Sequence, residues 1–344
     1  MKKFALLAVL AGISASAAAQ SSVTLFGILD VNARYVKNGD LKVKSLSTDG
    51  VNSSRLGVRG IEDLGDGLKA GFWLESAVNP DNGTANSTRF WHRRSTVSLL
   101  GRFGEVRLGR DLTPTFTGYA DYDVFGTNGV ADASKFASSL GTDRDTGVRA
   151  DNMVSYFTPD NLGGFYGRAS VAAGEGTAGK KYVAGRAGYA AGPLDVSLAY
   201  GQTTVTPVSN GDDKFKTLDV GASYDFGVVK ATGYYAQSKT GALKIASYNI
   251  GAAVPIGLGS LRVSYVHANA SGTTDAGVDT NPNDANQFAI GYLYNLSKRT
   301  ALYGTAATVR NKGSAAFAVA SNPTLVAGQK STGIEAGLLS LIHI

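Results

Sequence analysis

With 344 residues, no cysteine and a formal net charge of +6, the chain is long enough for one large domain and holds neither a disulfide framework nor a thiolate metal or redox site. Forty-four glycines, 16 tyrosines and 14 phenylalanines against 8 prolines and 2 methionines suit many strands joined by tight turns. Mean hydropathy is close to neutral, and past residue 19 no apolar run approaches the roughly 20 residues that a spanning helix needs. A helical membrane protein is thereby excluded, but a strand barrel is not, because only alternate residues of its strands meet lipid.

Residues 1–19 have the layout of an export signal. Lys2 and Lys3 precede a short apolar run from Phe4 to Ile13, and Ala17-Ala18-Ala19 stands before Gln20 as a small-residue cleavage site. The folded protein is expected over 20–344, with the positive charge reduced to a mild excess.

From Gln20 the chain repeats one unit: an alternating segment, a long polar connection, an alternating segment, a short turn. The first segment places Val23, Leu25, Leu29 and Val31 on one face and Thr24, Asp30, Asn32 and Arg34 on the other, the period-two signature of a half-buried strand. Long connections are expected near 37–52, 78–89, 111–148, 174–181, 203–216, 236–244, 269–284 and 311–331. Turns such as Asp63-Leu64-Gly65-Asp66-Gly67 and Gly101-Arg102-Phe103-Gly104 fall between them. Alternation of long and short connections predicts an all-β, transmembrane, antiparallel up-and-down barrel of about sixteen strands.

Parity also sorts the charges. Leu56 and Val58 share a face that excludes Arg55 and Arg59; Val97 and Leu99 oppose Arg94; Val106 and Leu108 oppose Arg107. With the apolar set on lipid, Arg34, Arg55, Arg59, Arg94 and Arg107 point into the lumen, since a charge facing mid-bilayer costs about 2–4 kcal/mol.

The stretch 111–148 interrupts this rhythm. It shows neither sustained alternation nor a helical stripe, and a connection of that length is functional or disordered. It is expected to fold into the lumen as a constriction loop, with Asp121 and Asp123 facing the five arginines. Arginine-lined walls favour anions, so the expected activity is passage of small hydrophilic solutes and ions with an anion preference.

Other chemistries find little support. His92, His267 and His343 lack metal-ligand spacing, and no cofactor or metal is expected. Basic residues alternate into strands and form no patch for nucleic acid. The alternatives are an outer-membrane barrel enzyme of lipase or protease type, with His92 or His267 as its base, and an adhesin barrel; a closed barrel of about eight strands would fill its own interior.

Several stretches give the chain a family likeness. Ser22-Val23-Thr24-Leu25-Phe26-Gly27, Ser54-Arg55-Leu56-Gly57 through Glu62-Asp63-Leu64-Gly65 and Gly67-Leu68-Lys69-Ala70, Val106-Arg107-Leu108-Gly109-Arg110, and Leu296-Ser297-Lys298-Arg299-Thr300 with Tyr303 together resemble the Gram-negative general porins of Neisseria and Burkholderia type. The resemblance spans nearly all of 20–344. It implies a sixteen-stranded homotrimer among outer-membrane lipids, exported by the general secretion pathway and inserted by the barrel assembly machinery. It also implies a third loop that constricts the channel. One departure stands out: the family closes on a strand ending in an aromatic residue, whereas this chain ends Leu339-Ser340-Leu341-Ile342-His343-Ile344, an atypical terminus.

Overall fold

The structure, a computed structural model, describes residues 22–86 and 88–343; the expected export segment lies outside them. The wall starts with β1 (Ser22–Asn38) and with β2, which runs in two pieces, Leu41–Thr48 and Arg55–Gly65. Both pieces pair with β1, so they form one strand broken by the turn 49–54. Next come β3 (Leu68–Asn79), β4 (Arg94–Gly101), β5 (Gly104–Leu112), β6 (Arg149–Phe157), β7 (Phe165–Ala172) and β8 (Tyr182–Ala191). The second half is β9 (Leu194–Thr204), β10 (Lys214–Asp225), β11 (Lys230–Thr240), β12 (Leu243–Ile256), β13 (Gly259–Ser271), β14 (Ala285–Asn295), β15 (Thr300–Asn311) and β16 (Ser331–His343). The two-residue piece Thr84–Ala85 tightens the loop after β3 and is not a wall strand.

Each strand pairs antiparallel with its sequence neighbours, and β16 pairs with β1 from Asn38–Ser331 to Phe26–His343. The result is a closed barrel of 16 strands, which leaves no strand edge unpaired in lipid. The seam includes the terminus that departs from the family pattern: Leu339 to His343 pair with Asp30 to Phe26. Main-chain hydrogen bonds make that ladder. The connection expected at 236–244 is shorter than the sequence suggests, because the ladder persists to Thr240 and Leu243.

Alternation holds around the wall. Val97, Leu108, Leu198, Ile250 and Ile334 are exposed on the outside, while Ser98, Ser155, Ser170, Ser197 and Asn249 are buried inside. The apolar core therefore lies within the barrel and not between layers. Tyr119, Tyr122, Phe125, Val130 and Phe136 of the third loop pack against Val36, Tyr234, Ala236, Val266, Ala289 and Val309 of the wall. A large apolar side chain so buried contributes about 1.5–3 kcal/mol. Phe136 also meets Phe317 of the last long loop, ring centroids 5.0 Å apart, so the third loop is clamped between wall and loop.

Inward-facing glycines make room for it. A Cβ at Gly221 of β10 would fall inside the Tyr122 ring; at Gly251 of β12 it would press on Val124, at Gly291 of β14 on Phe125, and at Gly333 of β16 on Val130. Glycine serves here by letting another segment approach the strand backbone.

Candidate pore site

The connection between β5 and β6 runs 113–148 and begins with a short helix, α1 (Pro114–Ala120). Thr113 caps it, its hydroxyl accepting the Phe116 N–H at 3.3 Å, and Pro114 occupies the first turn. A capping threonine followed by proline is a helix-start signature; at seven residues the helix is too short to display a stripe, which is why periodicity misses it. Gly118 brings α1 against Ala199 and Asp219 of the wall, and Thr115 shares a hydrogen bond with Tyr182 at 2.8 Å. Farther on, the Tyr122 hydroxyl donates to Asp195 at 2.9 Å. Gln287 donates to the Ala131 carbonyl at 2.8 Å and accepts from Lys135 at 2.7 Å. The loop is thus fastened to β8–β16, leaving open space against the other side of the wall.

That space is a cavity of about 560 Å³ bounded by Arg94, Arg107, Arg168 and Arg186 on the wall and by Thr117 and Asp121 on the loop. A second cavity of about 480 Å³ shares Arg94 and Arg107 and continues past Arg59 and Trp73.

The expected site residues are distributed differently from the prediction. Asp121 pairs with Arg186 at 2.6 Å, a residue outside the predicted set. Asp123 pairs with none of the five predicted arginines: it is buried, and its carboxylate accepts the main-chain N–H groups of Phe125 at 3.1 Å and Thr127 at 3.0 Å. An aspartate that caps its own turn in this way is a common loop device. Burial pushes its carboxyl up to about 6, and burial likewise brings the Lys135 ammonium of the same loop down to about 8.

The five predicted arginines do not make one wall opposite those acids. Arg34 is tied to Glu335 at 2.9 Å, whose other oxygen accepts the Val130 N–H at 3.1 Å, so it anchors the loop. Arg55 lies 3.5 Å from Glu75, which also binds Arg93 at 2.6 Å. Arg107 pairs with Glu105 at 2.8 Å and Asp111 at 2.6 Å, and Arg94 stands 3.8 Å from Asp111. Arg59 has no carboxylate partner among the described residues; its guanidinium lies over Trp73 at 5.0 Å and Phe26 at 5.6 Å.

Two arginines that line this cavity were missed by the sequence reading, Arg168 of β7 and Arg186 of β8. Parity could have found both, since the exposed Phe165 and Val171 put Arg168 inside and the exposed Val183 does the same for Arg186. Arg168 also lacks a carboxylate partner among the described residues. It donates to the Leu112 carbonyl at 2.5 Å and sits over Phe157 at 4.7 Å, with Arg107 over the same ring at 4.1 Å. Trp73 serves Arg94 at 4.4 Å as it serves Arg59. Each aromatic ring thus props two guanidinium groups.

His267, one of the two candidate bases, stacks on Tyr248 and contacts Asn286 at 2.9 Å. Tyr248 is half exposed on the lipid face, a position that suits an interfacial girdle.

Fold and site together define a membrane-spanning β-barrel with an arginine-walled interior and an inward-folded loop, the architecture of a diffusion channel. The chain belongs to the Gram-negative porins, whose family model matches residues 5–314, and it is an outer-membrane porin. It is similar to outer membrane porin protein 32 of Delftia acidovorans, with 42% identity over 98% of both chains. To an outer membrane porin protein of Bordetella pertussis it is 32% identical over 90% of this chain and 95% of that one. Among solved structures, the anion-selective porin from Comamonas acidovorans superposes with a TM-score of 0.84 at 39% identity, covering 94% of this chain and all of that one. OmpT of Vibrio cholerae has a TM-score of 0.67 at 16% identity over 94% of this chain and 98% of that one, a likeness of fold alone.

Proposed function

We propose that this porin is a water-filled channel that prefers anions, that the loop 113–148 sets its constriction, and that the working unit is a homotrimer inserted by the barrel assembly machinery. The observation that carries the anion preference is that Arg59 and Arg168, both on cavity walls, are supported by aromatic rings and a main-chain carbonyl instead of carboxylates. A ring holds a guanidinium in place through its quadrupole without cancelling the charge; a carboxylate would hold it and neutralise it. Arg149, at the long-loop end of β6, likewise has no carboxylate pair among the described residues and donates to the Arg93 carbonyl at 2.7 Å.

Carboxylates offset the remaining wall arginines in part, which relieves like-charge repulsion while leaving an excess of positive charge along the path. Asp121, about half exposed, is the acid that the loop itself presents to the solute. The relatives support this reading, since one solved neighbour is described as anion-selective, and the trimer and assembly route rest on family resemblance. The test is the zero-current potential of single channels in a planar bilayer under a salt gradient. An anion-sign potential is expected; a cation-sign potential would overturn the reading.

A further inference from the structure

On the side of the barrel that the third loop leaves open, aromatic rings and guanidinium groups alternate along the wall. Phe26 of β1 and Trp73 of β3 meet edge to face with centroids 4.9 Å apart; Arg59 lies over both rings and Arg94 over Trp73. Asp111, beside Arg94 and Arg107, joins this group to the next, in which Arg107 and Arg168 share the Phe157 ring. Arg186, opposite Arg168 on the neighbouring strand, then lies over Tyr166 at 5.6 Å. Trp73 borders one cavity, Phe157 and Tyr166 border the other, and Arg94 and Arg107 border both. The third loop lends these cavities Thr117 and Asp121 and no ring, so the aromatic surface is confined to the wall.

Positive charge alone attracts every small anion of one valence alike. Rings set between the charges add a surface that tells a flat π system from a saturated one: a guanidinium binds the face of an arene through its quadrupole, and two arenes attract offset or edge to face. Arg59 shows how both could act on one solute. Among the described residues its guanidinium donates no hydrogen bond and is held only by the Trp73 and Phe26 rings, so its fork of N–H donors is left for a solute. A carboxylate takes such a fork at two points. An arene attached to that carboxylate would then lie beside the Trp73 indole and the Arg94 guanidinium, which is 4.4 Å from that indole.

We infer that the open side of the pore is a stacking track for planar aromatic carboxylates, with Arg59 and Trp73 as one station and Arg168 and Phe157 as the other. The inference rests on the reading of the chain as an anion-preferring channel and names a solute class within it. Each station offers one charge contact and one stacking contact, and a solute held weakly at two successive places can leave as readily as it enters.

The test compares benzoate with cyclohexanecarboxylate, which has the same charge and nearly the same size but no π system. Each is added to the folded protein in a planar bilayer bathed in potassium chloride, and the concentration that halves the single-channel current is read. Wild type is expected to need about fivefold less benzoate than cyclohexanecarboxylate, the weight of one exposed cation–π contact. Trp73→Leu/Phe157→Leu should bring the two concentrations together, while Trp73→Phe/Phe157→Tyr, which keeps a ring at both stations, should hold them apart. Equal concentrations in wild type would overturn the inference, and that comparison needs no variant to fold. A gap that survives in the Leu variant, or that vanishes in the ring-keeping one, would overturn it as well, since either outcome assigns the effect to something other than the rings. The zero-current potential in chloride alone separates the two levels of the argument: a cation-sign potential would sink the anion preference and this inference together, whereas an anion-sign potential with equal block by the two acids would sink only the aromatic preference. Heat-modifiable migration on gels establishes that each variant is folded.

Discussion

Arg168 and Arg186 face each other across neighbouring strands inside the barrel, yet only Arg186 has a carboxylate, that of Asp121 at 2.6 Å. Arg168 rests instead on Phe157 and the Leu112 carbonyl. One guanidinium of the pair is joined to the loop acid, and the other has no carboxylate within ion-pair distance among the described residues.

That difference ranks the wall substitutions. Arg168→Gln should lower the anion-to-cation permeability ratio about two- to fivefold, the Boltzmann weight of roughly 0.5–1 kcal/mol from a unit charge 4–8 Å away in water. Arg107→Gln should do less, because Glu105 and Asp111 already offset its charge. Lys180→Gln, on a distal loop, should leave the ratio unchanged. Reversal potentials of the three variants check the order; equal shifts for Arg168 and Lys180 would contradict it.

Asp121→Asn should act in the opposite direction. It removes the acid that the loop presents and frees Arg186, so anion preference should rise, again about two- to fivefold. Single-channel recordings in the same gradient measure it, and a fall in the ratio would mean that the loop acid does not reach the permeation path.

Gly221→Val should displace the third loop, because any side chain there occupies the volume of the Tyr122 ring. Overpacking of this kind costs typically about 1–3 kcal/mol. The expected readout is a changed single-channel conductance with faster proteolysis within 113–148, while the barrel still migrates as a folded species. Tyr122→Phe, which loses the hydroxyl's hydrogen bonds to Asp195 and Tyr166 and keeps the ring, should cost about 1 kcal/mol and leave conductance near wild type.

The buried Asp123 makes loop packing depend on pH. Its carboxyl is raised by burial from 3.8 to about 6, so the native loop binds the proton more tightly than the unfolded chain. The stabilisation from that proton is complete below about pH 3.8 and is lost as pH rises through about 6; over the full range it amounts to about 3 kcal/mol. Limited proteolysis of the loop should therefore accelerate as pH rises from about 4 to about 6. Asp123→Asn, which mimics the neutral form, should flatten that profile. An unchanged profile in the variant would assign the dependence to other groups.

Much of this protein could be read from the order of its residues. Alternation of apolar and polar side chains, as in Val23 to Arg34 and Val97 to Arg107, reports a wall with oil on one side and water on the other, because a strand sends successive side chains to opposite faces. The same parity sends the charges inward, and long connections alternating with short ones give the up-and-down order. What parity cannot supply is the partner of each inward group. Arg34 meets Glu335 only because β16 closes on β1, 301 residues away in sequence. Asp121 reaches Arg186, and Asp123 turns back on its own loop, because inward-facing glycines on β10, β12, β14 and β16 decide where that loop can lie. Those contacts join segments far apart in the chain, so only the closed barrel determines which arginines are neutralised and which remain open to a passing anion.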